Sequence, residues 1–438
     1  TSFTLCHSGQ QLDFLTGGIR LKFAFLLAMK NLARYKRRTF ITAIAIALGL
    51  SMYLIVDSLL LGMDEESVRN LLWYETSSVR IHAKEYWPDR QLYPLEQGIK
   101  QPEKIVKFLR NDGWTATERT MFTADMILYS DDFGEDGNMS VLVTAIDPET
   151  DNDVFHFEDT LIDGRFLKSD DEEGVLMGSW FAEDIGAKVG YWITLVTRGK
   201  GGFFGAMDLQ IVGIVNCPNP NVNRTLLMMN KKGADALLGM KGSVTEIDIR
   251  LLLRSDVDEA VERIQQLLPE SGQELEARSW KVLAKDYLAA IQAERGGTAI
   301  ILFLVFLIVA VGISNTMLMS MYERTRELGM MRALGMKDSH IMLSFLFEAG
   351  GIGFVGSCIG LALGALVNLY MVNVGIDMGF IMRDMDIGYR VQSIVRGTWN
   401  LRSFLITFAS GIGLSMIVAW LPIRRSLKMD IPSCLRHQ

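Results

Sequence analysis

The chain has 438 residues, of which 49% are hydrophobic and 22% charged, and its formal net charge is −7. Four long runs hold most of the excess of hydrophobic residues and almost no charged ones. That concentration excludes an ordinary water-soluble protein, in which buried helices carry a charged residue every turn or two.

The four runs predict the fold class, because a helix of about 20 apolar residues crosses a hydrocarbon core about 30 Å thick. We expect an integral membrane protein with four transmembrane α-helices, at residues 39–63, 298–322, 341–372 and 401–421. A large α+β extracytoplasmic domain, residues 64–297, is inserted between helices 1 and 2.

Residues 20–38 precede the first span and carry apolar residues at helical spacing, from Leu21 to Leu32. This pattern fits an ordinary packed amphipathic helix as well as an interfacial helix on the cytoplasmic leaflet. The basic run RYKRR beside a span favours the interfacial helix. No apolar stretch precedes residue 21, so we expect the first span to act as an uncleaved targeting signal.

The domain between the first two spans mixes strand and helix patterns. Alternation predicts strands in SSVRIHA, MSVLVTAI, YWITLVT, DLQIVGIV and TEIDIRLLL. Helices are predicted in QPEKIVKFLRN and in DVDEAVERIQQLL, the second with Ser255 as its N-cap and as part of a split βαβ unit. Helical patterning continues beyond both spans, which predicts a helical stalk at each end of the domain. The glycine-rich RGKGGFFGAM predicts an exposed hairpin tip.

A short helix is predicted at residues 323–340, between the second and third spans. Its polar turns carry charged residues and its other face carries an apolar stripe of Leu328, Met331 and Leu334. A solvated connector would not need such a stripe, so we expect the helix to dock into a groove of a partner. The charged residues of this candidate docking helix are Glu323, Arg324, Arg326, Glu327 and Arg332.

The third span holds Gly356, Gly360 and Gly364 at strict i+4 spacing, which leaves one face nearly bare for close packing against another helix. Two acidic residues lie within spans. Asp57 lies toward the outer end of the first span, where it reaches water. Glu348 lies nearer the inner side of the third, where it either forms a proton or ion site or pairs with a basic residue of a neighbouring segment.

Charge sorting predicts the topology. Basic residues cluster before the first span, between the second and third, and after the fourth, which places both termini, residues 323–340 and the tail 422–438 in the cytoplasm. The short loop 373–400 is then extracytoplasmic, although Arg383, Arg390 and Arg396 fit that rule imperfectly. Cys217 is the one cysteine of the extracytoplasmic domain, so we expect no disulfide within it.

Motifs for catalysis are missing from the sequence. There is no Walker A loop, no paired histidines, no Cys/His metal set and no GxSxG elbow. We therefore expect a non-catalytic chain that binds no cofactor or metal, with no nucleic-acid partner.

Several motifs resemble the MacB/FtsX-like ABC transporter permease superfamily. ERTRELGMMRALGM matches the signature that follows the second span in that family, and SFLFEAGGIGFVGSCIG matches the opening of its third span. PIRRSLKMDIPSCLR resembles the closing motif, with Ser426 where alanine is usual, and AMKNLARYKRRTFITAIAIALGL resembles the entrance to the first span.

The resemblance implies a permease subunit of the bacterial inner membrane that dimerises, with itself or a paralogue, and sits on two cytosolic ABC ATPase subunits that hold ATP and Mg. The helix at 323–340 would couple to those subunits, beside the interfacial helix, and transmit ATP-driven motion to the periplasmic domain. Opposite charges at Glu327 and Arg332 would then uncouple ATPase stimulation.

Within the superfamily, SSVRIHAKEY, VTAIDPET and DGRFLKSDDEEGVLMGSWFAEDIGAKVGYWITLV are most similar to lipoprotein-releasing permeases of the LolC/LolE type. The resemblance implies lipoprotein release from the inner membrane, and a hairpin that contacts a periplasmic lipoprotein carrier through Phe203, Phe204 and Met207, although the proline usual in that hairpin is missing. The alternatives are MacB-type efflux of peptides or drugs and FtsX-like regulation of cell-wall hydrolases.

Overall fold

The computed structural model describes residue 26, residues 28–30, residues 32 and 34, and then residues 36–129, 138–252, 256–268, 272–377 and 394–428. Parts of the predicted interfacial helix (20–38), loop (373–400) and tail (422–438) lie outside the described residues. The described chain forms two compact units. The membrane unit comprises the described residues up to 62, 293–376 and those from 395 onward, and the α+β unit comprises the described residues of 63–292 together with Asp377 and Ile394.

The helices are, in chain order, α1 (Lys36–Leu71), α2 (Pro102–Asn111), α3 (Asp151–Val154), α4 (Ser179–Asp184), α5 (Pro220–Thr225), α6 (Lys231–Leu238), α7 (Val257–Leu267), α8 (Trp280–Leu283), α9 (Lys285–Glu323), α10 (Thr325–Ala333), α11 (Asp338–Asn373) and α12 (Leu401–Ser426). The strands are β1 (Val79–Ala83), β2 (Thr115–Tyr129), β3 (Asn138–Ile146), β4 (Leu161–Gly164), β5 (Gly174–Gly178), β6 (Trp192–Arg198), β7 (Phe204–Val215), β8 (Leu227–Asn230), β9 (Glu246–Arg250), β10 (Leu275–Ser279), β11 (Ile376–Asp377) and β12 (Ile394–Val395).

Within the described residues, four helices are long and apolar enough to cross a membrane, which confirms the predicted four-span fold with an α+β domain between the first and second spans. The apolar segments are Thr39–Thr76, Phe306–Glu323, Asp338–Asn373 and Leu401–Ser426. Helix α1 runs on to Leu71 and α9 begins at Lys285, so both helices extend past the predicted span ends at 63 and 298.

The membrane unit is held together by a core to which all four spanning helices contribute. Ile46 of α1, Met317 of α9, Phe345 of α11 and Ile423 of α12 are all buried in it. Lipid tails provide no hydrophobic drive between helices, so close packing and polar contacts carry this association.

The glycines of α11 lie directly against α1. A methyl group added at Gly356 would lie 2.9 Å from the Ala43 carbonyl oxygen, and one at Gly360 would lie 2.9 Å from the Ala47 carbonyl oxygen. A carbon atom does not approach a carbonyl oxygen that closely without a shift of one of the two, so only glycine fits at these positions.

The far end of α11 is joined to α1 and to the segment before α12 by buried polar groups. The Ser58 hydroxyl donates to the Asn368 side-chain oxygen and, at 3.0 Å, to the Thr398 carbonyl oxygen. The Asn368 amide also donates to that carbonyl, at 3.4 Å. These contacts satisfy polar groups that would be costly to leave unpaired in a membrane.

The α+β unit is built on a ten-stranded sheet with the order β10-β1-β9-β2-β3-β8-β5-β7-β4, in which β6 pairs with both β2 and β7. All strand pairs are antiparallel except β3 with β8 and β5 with β7. The five strands predicted from alternation are all present, as β1, β3, β6, β7 and β9. The long strand β2 was not predicted.

The predicted split βαβ unit is confirmed. Strands β9 and β10 flank β1, each antiparallel to it, and α7 connects them. The N-cap of α7 is Asp256, whose carboxylate accepts from the backbone N–H groups of Asp258 and Glu259, while the predicted cap Ser255 lies outside the described residues.

Among the strands that the structure describes, β10 lies at one edge of the sheet and pairs on one side only, with β1. The side-chain amide of Gln265, on α7, accepts from the backbone N–H of Ala277 at 2.8 Å and donates to the carbonyl of Leu275 at 3.2 Å. One side chain thus pairs with the two groups that a residue of an added parallel strand would bind.

Candidate functional site

Helix α10 is a separate short helix, set off from the second span by one residue. Arg324 has φ −113° and ψ 16°, outside the helical range, and so breaks the chain between α9 and α10. The Thr325 hydroxyl lies within hydrogen-bonding distance of the carbonyl oxygens of Met321, at 3.1 Å, and Tyr322, at 2.9 Å, and the Met321 carbonyl also accepts from the backbone N–H of Arg324 at 3.3 Å. At the other end, Gly335 at φ +87° takes the left-handed conformation that ends the helix.

The break places Arg324 in a buried ion network. Its Nη1 donates to Oε2 of Glu348 on α11 at 2.9 Å, and its Nε donates to Oε2 of Glu327 at 2.8 Å. The side chains of Arg324 and Glu348 are only 5% and 3% exposed. The guanidinium carbon also lies 5.1 Å from the centre of the Phe345 ring. Arg324 was predicted on a polar turn of a docking helix, and the structure instead places it inside the membrane unit.

The charge of Arg324 is preserved by these partners. Burial alone would lower the pKa of Arg324, but the hydrogen bond to Glu327 and the charges of Glu348 and Glu327 raise it. The network also gives Glu348 a basic partner, which was one of the two alternatives predicted for that residue. A proton or ion site would need a carboxylate free to exchange its partner, whereas Glu348 is held by a permanently charged guanidinium.

Two further ion pairs connect α10 to its surroundings. Arg34, before the first span, lies 3.6 Å from Oε1 of Glu327, which sets that part of the interfacial segment beside α10 as the family resemblance implies. Arg332 contacts the carboxylate of Asp338 at the start of α11, with Nε 3.0 Å from Oδ1. Of the predicted charged residues, Glu323 and Arg326 are the exposed ones.

The apolar stripe of α10 is divided between the chain itself and the surface. Leu328 is buried in the core of the membrane unit and Met331 is partly buried against it. Leu334 is 88% exposed, and Met330, absent from the predicted stripe, is 49% exposed. The prediction that Leu328 faces a partner is therefore wrong, because that side chain holds α10 against its own spans. The exposed surface available to a partner includes Arg326, Met330 and Leu334, with Glu323 and Ala333 beside them.

The other predicted site residues lie apart from α10. Asp57 is partly buried in α1, immediately before the Ser58 hydroxyl that bonds to Asn368 and Thr398. Gly356, Gly360 and Gly364 form the α11 face that packs on α1. The structure therefore brings Glu348 to Arg324, at the start of α10, while Asp57 lies elsewhere, beside Ser58 in α1.

The glycine-rich hairpin connects β6 to β7 and lies back against its own unit. The backbone N–H of Lys200 donates to the Leu238 carbonyl at 2.8 Å, and that of Gly201 donates to the Glu96 carboxylate at 2.7 Å. Phe204 is 70% exposed with the Arg198 guanidinium over its ring, Phe203 is 45% exposed, and Met207 packs partly buried against the core. The turn is exposed, as predicted, but it is tied down rather than projecting.

Comparison with known proteins identifies a domain at the C-terminal end of the chain. Residues 299–431 match the FtsX-like permease C-terminal family. This range contains the second, third and fourth spans together with α10.

Three relatives extend the similarity to most of the chain. It is 22% identical over 413 residues to the lipoprotein-releasing system transmembrane protein LolC of Neisseria meningitidis, covering 91% of this chain and 94% of that protein. It is 26% identical to an uncharacterised ABC transporter permease of Methanocaldococcus jannaschii, covering 63% of this chain and 65% of that protein. It is 22% identical to the macrolide export ATP-binding/permease protein MacB of Pasteurella multocida, covering 94% of this chain and 59% of that protein. The chain thus spans less than two thirds of the last two relatives and nearly all of LolC.

Proposed function

Because this chain belongs to the MacB/FtsX-like ABC transporter permeases, we propose that it transmits ATP-driven motion from cytosolic ABC ATPase subunits to its α+β unit. The observation that supports this proposal most directly is α10. This helix is anchored inward through Arg324 and Leu328 and leaves Met330 and Leu334 exposed. Apolar side chains exposed on a fixed helix fit a groove on a partner protein.

The orientation follows from the basic residues near the α10 end of the spans. Arg34, Lys36 and Arg326 lie there, and Arg424 and Arg425 end the fourth helix. An excess of arginine and lysine marks the cytoplasmic side, so we place α10 and both termini in the cytoplasm. The α+β unit then lies in the periplasm, and the four spans cross the inner membrane of a bacterium. ATP and Mg would be held by the ATPase subunits.

For the substrate, we propose release of lipoproteins from the inner membrane. The support is the similarity to LolC, which covers 91% of this chain and 94% of that protein's length. MacB-type efflux is the second candidate, because the similarity to MacB also covers 94% of this chain. FtsX-like regulation of cell-wall hydrolases is the third, and it would move no cargo.

The substrate proposal is tested by reconstitution. The full chain is purified with the ABC ATPase that co-purifies with it, placed in liposomes that contain a triacylated lipoprotein, and supplied with ATP and Mg. ATP-dependent transfer of the lipoprotein to a soluble carrier supports lipoprotein release. Export of a soluble peptide or drug without lipoprotein release would establish the MacB type instead, and ATP hydrolysis with neither would leave the regulatory function.

The docking proposal is tested at Leu334. L334D places a charge where we expect an apolar contact, and loss of one buried leucine costs about 1.5–3 kcal/mol, or roughly 10- to 150-fold in affinity for the ATPase. The matched control is L92D, since Leu92 is 76% exposed but belongs to the α+β unit. Equal affinities of L334D and the unmodified chain in a binding titration would contradict the proposal.

The structure also changes which variants are informative for docking. Glu327 is bonded to Arg324 and lies near Arg34, and Arg332 is bonded to Asp338. Reversing the charge of Glu327 or Arg332 would therefore disturb the membrane unit itself and would not isolate contact with an ATPase.

A further inference from the structure

The junction between α9 and α10 is attached to the third span by a buried ion pair. The only non-helical residue of that junction in the described chain is Arg324, and its guanidinium reaches across to Glu348, one-third of the way along α11. A single non-helical residue between two helices allows the angle between them to vary unless another contact fixes it. Here the residue at the bend supplies its own attachment.

Burial strengthens this attachment, and the shape of the guanidinium fixes its geometry. Both side chains are nearly inaccessible to water, so the pair is not screened by solvent as a surface ion pair would be. Arg324 divides its donors between Glu348 and Glu327, and the planar guanidinium fixes the angle between the two carboxylates. Glu327 belongs to α10 and Glu348 to α11, so the shared guanidinium sets the position of α10 relative to α11.

Helix α11 is in turn closely fitted to α1 from Gly356 to Asn368. Gly356 and Gly360 contact the backbone of α1, and Asn368 is hydrogen-bonded to Ser58 of α1 near the other end. Backbone-to-backbone contact leaves no flexible side chain to absorb a displacement. A shift of α11 therefore has to be accompanied by a shift of α1.

We propose that Arg324 is a positioning residue that fastens α10 to α11, so that motion of α10 enters the membrane unit through the third span and passes on to the first. The inference rests on the proposed function, because it assumes that an ATPase moves α10. The attachment itself is a property of this chain and is measurable without any partner.

The test separates attachment from stability. R324M alone removes the Arg324 charge from the buried Glu348 carboxylate, so this variant is expected to lose thermal stability. R324M/E348Q removes both charges and is expected to regain most of that stability. If Arg324 had only a structural role, the double variant would match the unmodified chain once its stability is regained. If Arg324 is a positioning residue, the double variant regains stability but does not regain the attachment of α10 to α11.

The measurement is made on spin-labelled full chain in lipid nanodiscs, diluted with unlabelled chain and with the native cysteines replaced. One label pair, M330C with F354C, reports the distance between α10 and α11, and a second, L307C with F354C, reports the distance between α9 and α11. All three positions are about half exposed. R326Q, an exposed arginine of the same helix, is the matched control.

We expect R324M/E348Q to broaden the α10–α11 distance distribution while the α9–α11 distribution and the melting temperature stay near those of the unmodified chain. We expect R326Q to change neither distribution. An unchanged α10–α11 distribution in the double variant would overturn the inference, and so would equal broadening of both pairs, which would indicate general loosening.

A second readout keeps this inference separate from the proposed function. With the co-purifying ABC ATPase present, the double variant is expected to lose permease-dependent ATPase stimulation despite its restored stability. If the unmodified chain stimulates no ATPase while the distance results hold, the proposed function fails and the attachment stands. If the double variant stimulates ATPase as well as the unmodified chain does, the inferred route through α11 is wrong.

Discussion

Substitution of the α11 glycines by alanine tests the packing of the third span on the first. An added methyl group would lie 2.9 Å from a backbone carbonyl oxygen of α1 at both Gly356 and Gly360. At Gly364 the nearest atom, also at 2.9 Å, is Cδ1 of Leu54, the end of a flexible side chain that is able to turn away. At Gly413, on α12, no atom lies within 4 Å, so G413A is the matched control.

The expected magnitudes follow from two opposing terms. Glycine-to-alanine replacement inside a helix stabilises by about 0.5–1 kcal/mol, and this gain is common to all four variants. Overpacking against a backbone that is not free to move costs about 1–3 kcal/mol. G356A and G360A should therefore be less stable than G413A by about 1–3 kcal/mol, roughly a 5- to 150-fold change in the unfolding equilibrium. G364A should lie between them and the control.

The assay is reversible unfolding in mixed micelles titrated with SDS, followed by tryptophan fluorescence. The order of midpoints decides the question: G356A and G360A lowest, then G364A, then G413A. Equal midpoints for G360A and G413A would refute the close approach of α11 to α1. Equal loss in G364A and G360A would refute the distinction between a backbone neighbour and a side-chain neighbour.

Two further predictions concern buried charges of the α+β unit. The buried Asp151 carboxylate accepts two hydrogen bonds from Arg119, of 2.7 and 2.8 Å. D151N should therefore lower the free energy of unfolding by about 3–5 kcal/mol in denaturant titrations, against less than about 1 kcal/mol for the exposed control D153N. Similar losses in the two variants would contradict the assignment. Burial raises the pKa of Glu246 to about 8, although Nη1 of Arg80 lies 3.1 Å from its Oε2. The folded chain therefore keeps a proton on Glu246 that the unfolded chain releases at the ordinary pKa of 4.5. Stability should then fall as the pH rises from 4.5 to about 8, and E246Q should flatten that slope in melting curves; an equal slope in E246Q would exclude Glu246 as its source.

Hydropathy and alternation predicted the spans and five of the twelve described strands, because both patterns depend on what each residue contacts locally. Strand β2 escaped prediction because its first half carries Thr117, Glu118, Arg119 and Thr120 in buried positions, which removes the alternation of apolar and polar residues. Their partners lie far along the chain: Glu118 binds the Lys231 ammonium and Arg119 binds Asp151. A sequence pattern has no record of such long-range compensation.

The candidate site shows the same limit. The position of α10 was predicted, but which of its faces points outward was not. By spacing, Leu328 and Leu334 belong to one stripe, but the helix ends at Ala333, and Leu328 is 3% exposed whereas Leu334, just after the helix, is 88% exposed. Likewise, Arg324 reads as a surface charge until Glu348, on the next helix, supplies its counter-charge. Both assignments depend on how α10 packs against the spans, which spacing alone does not determine.

The amide of Gln265 affects how readily the α+β unit pairs with strands of other proteins. Because this amide occupies the free backbone groups of Leu275 and Ala277, the sheet ends on one of its own side chains, and a foreign strand has to displace it before it pairs with β10. Gln265 is carried by α7, so the edge opens only when that helix shifts or unravels. Protection against aggregation is thereby linked to the folding of α7, and even partial melting of that one helix would turn a closed edge into an adhesive one.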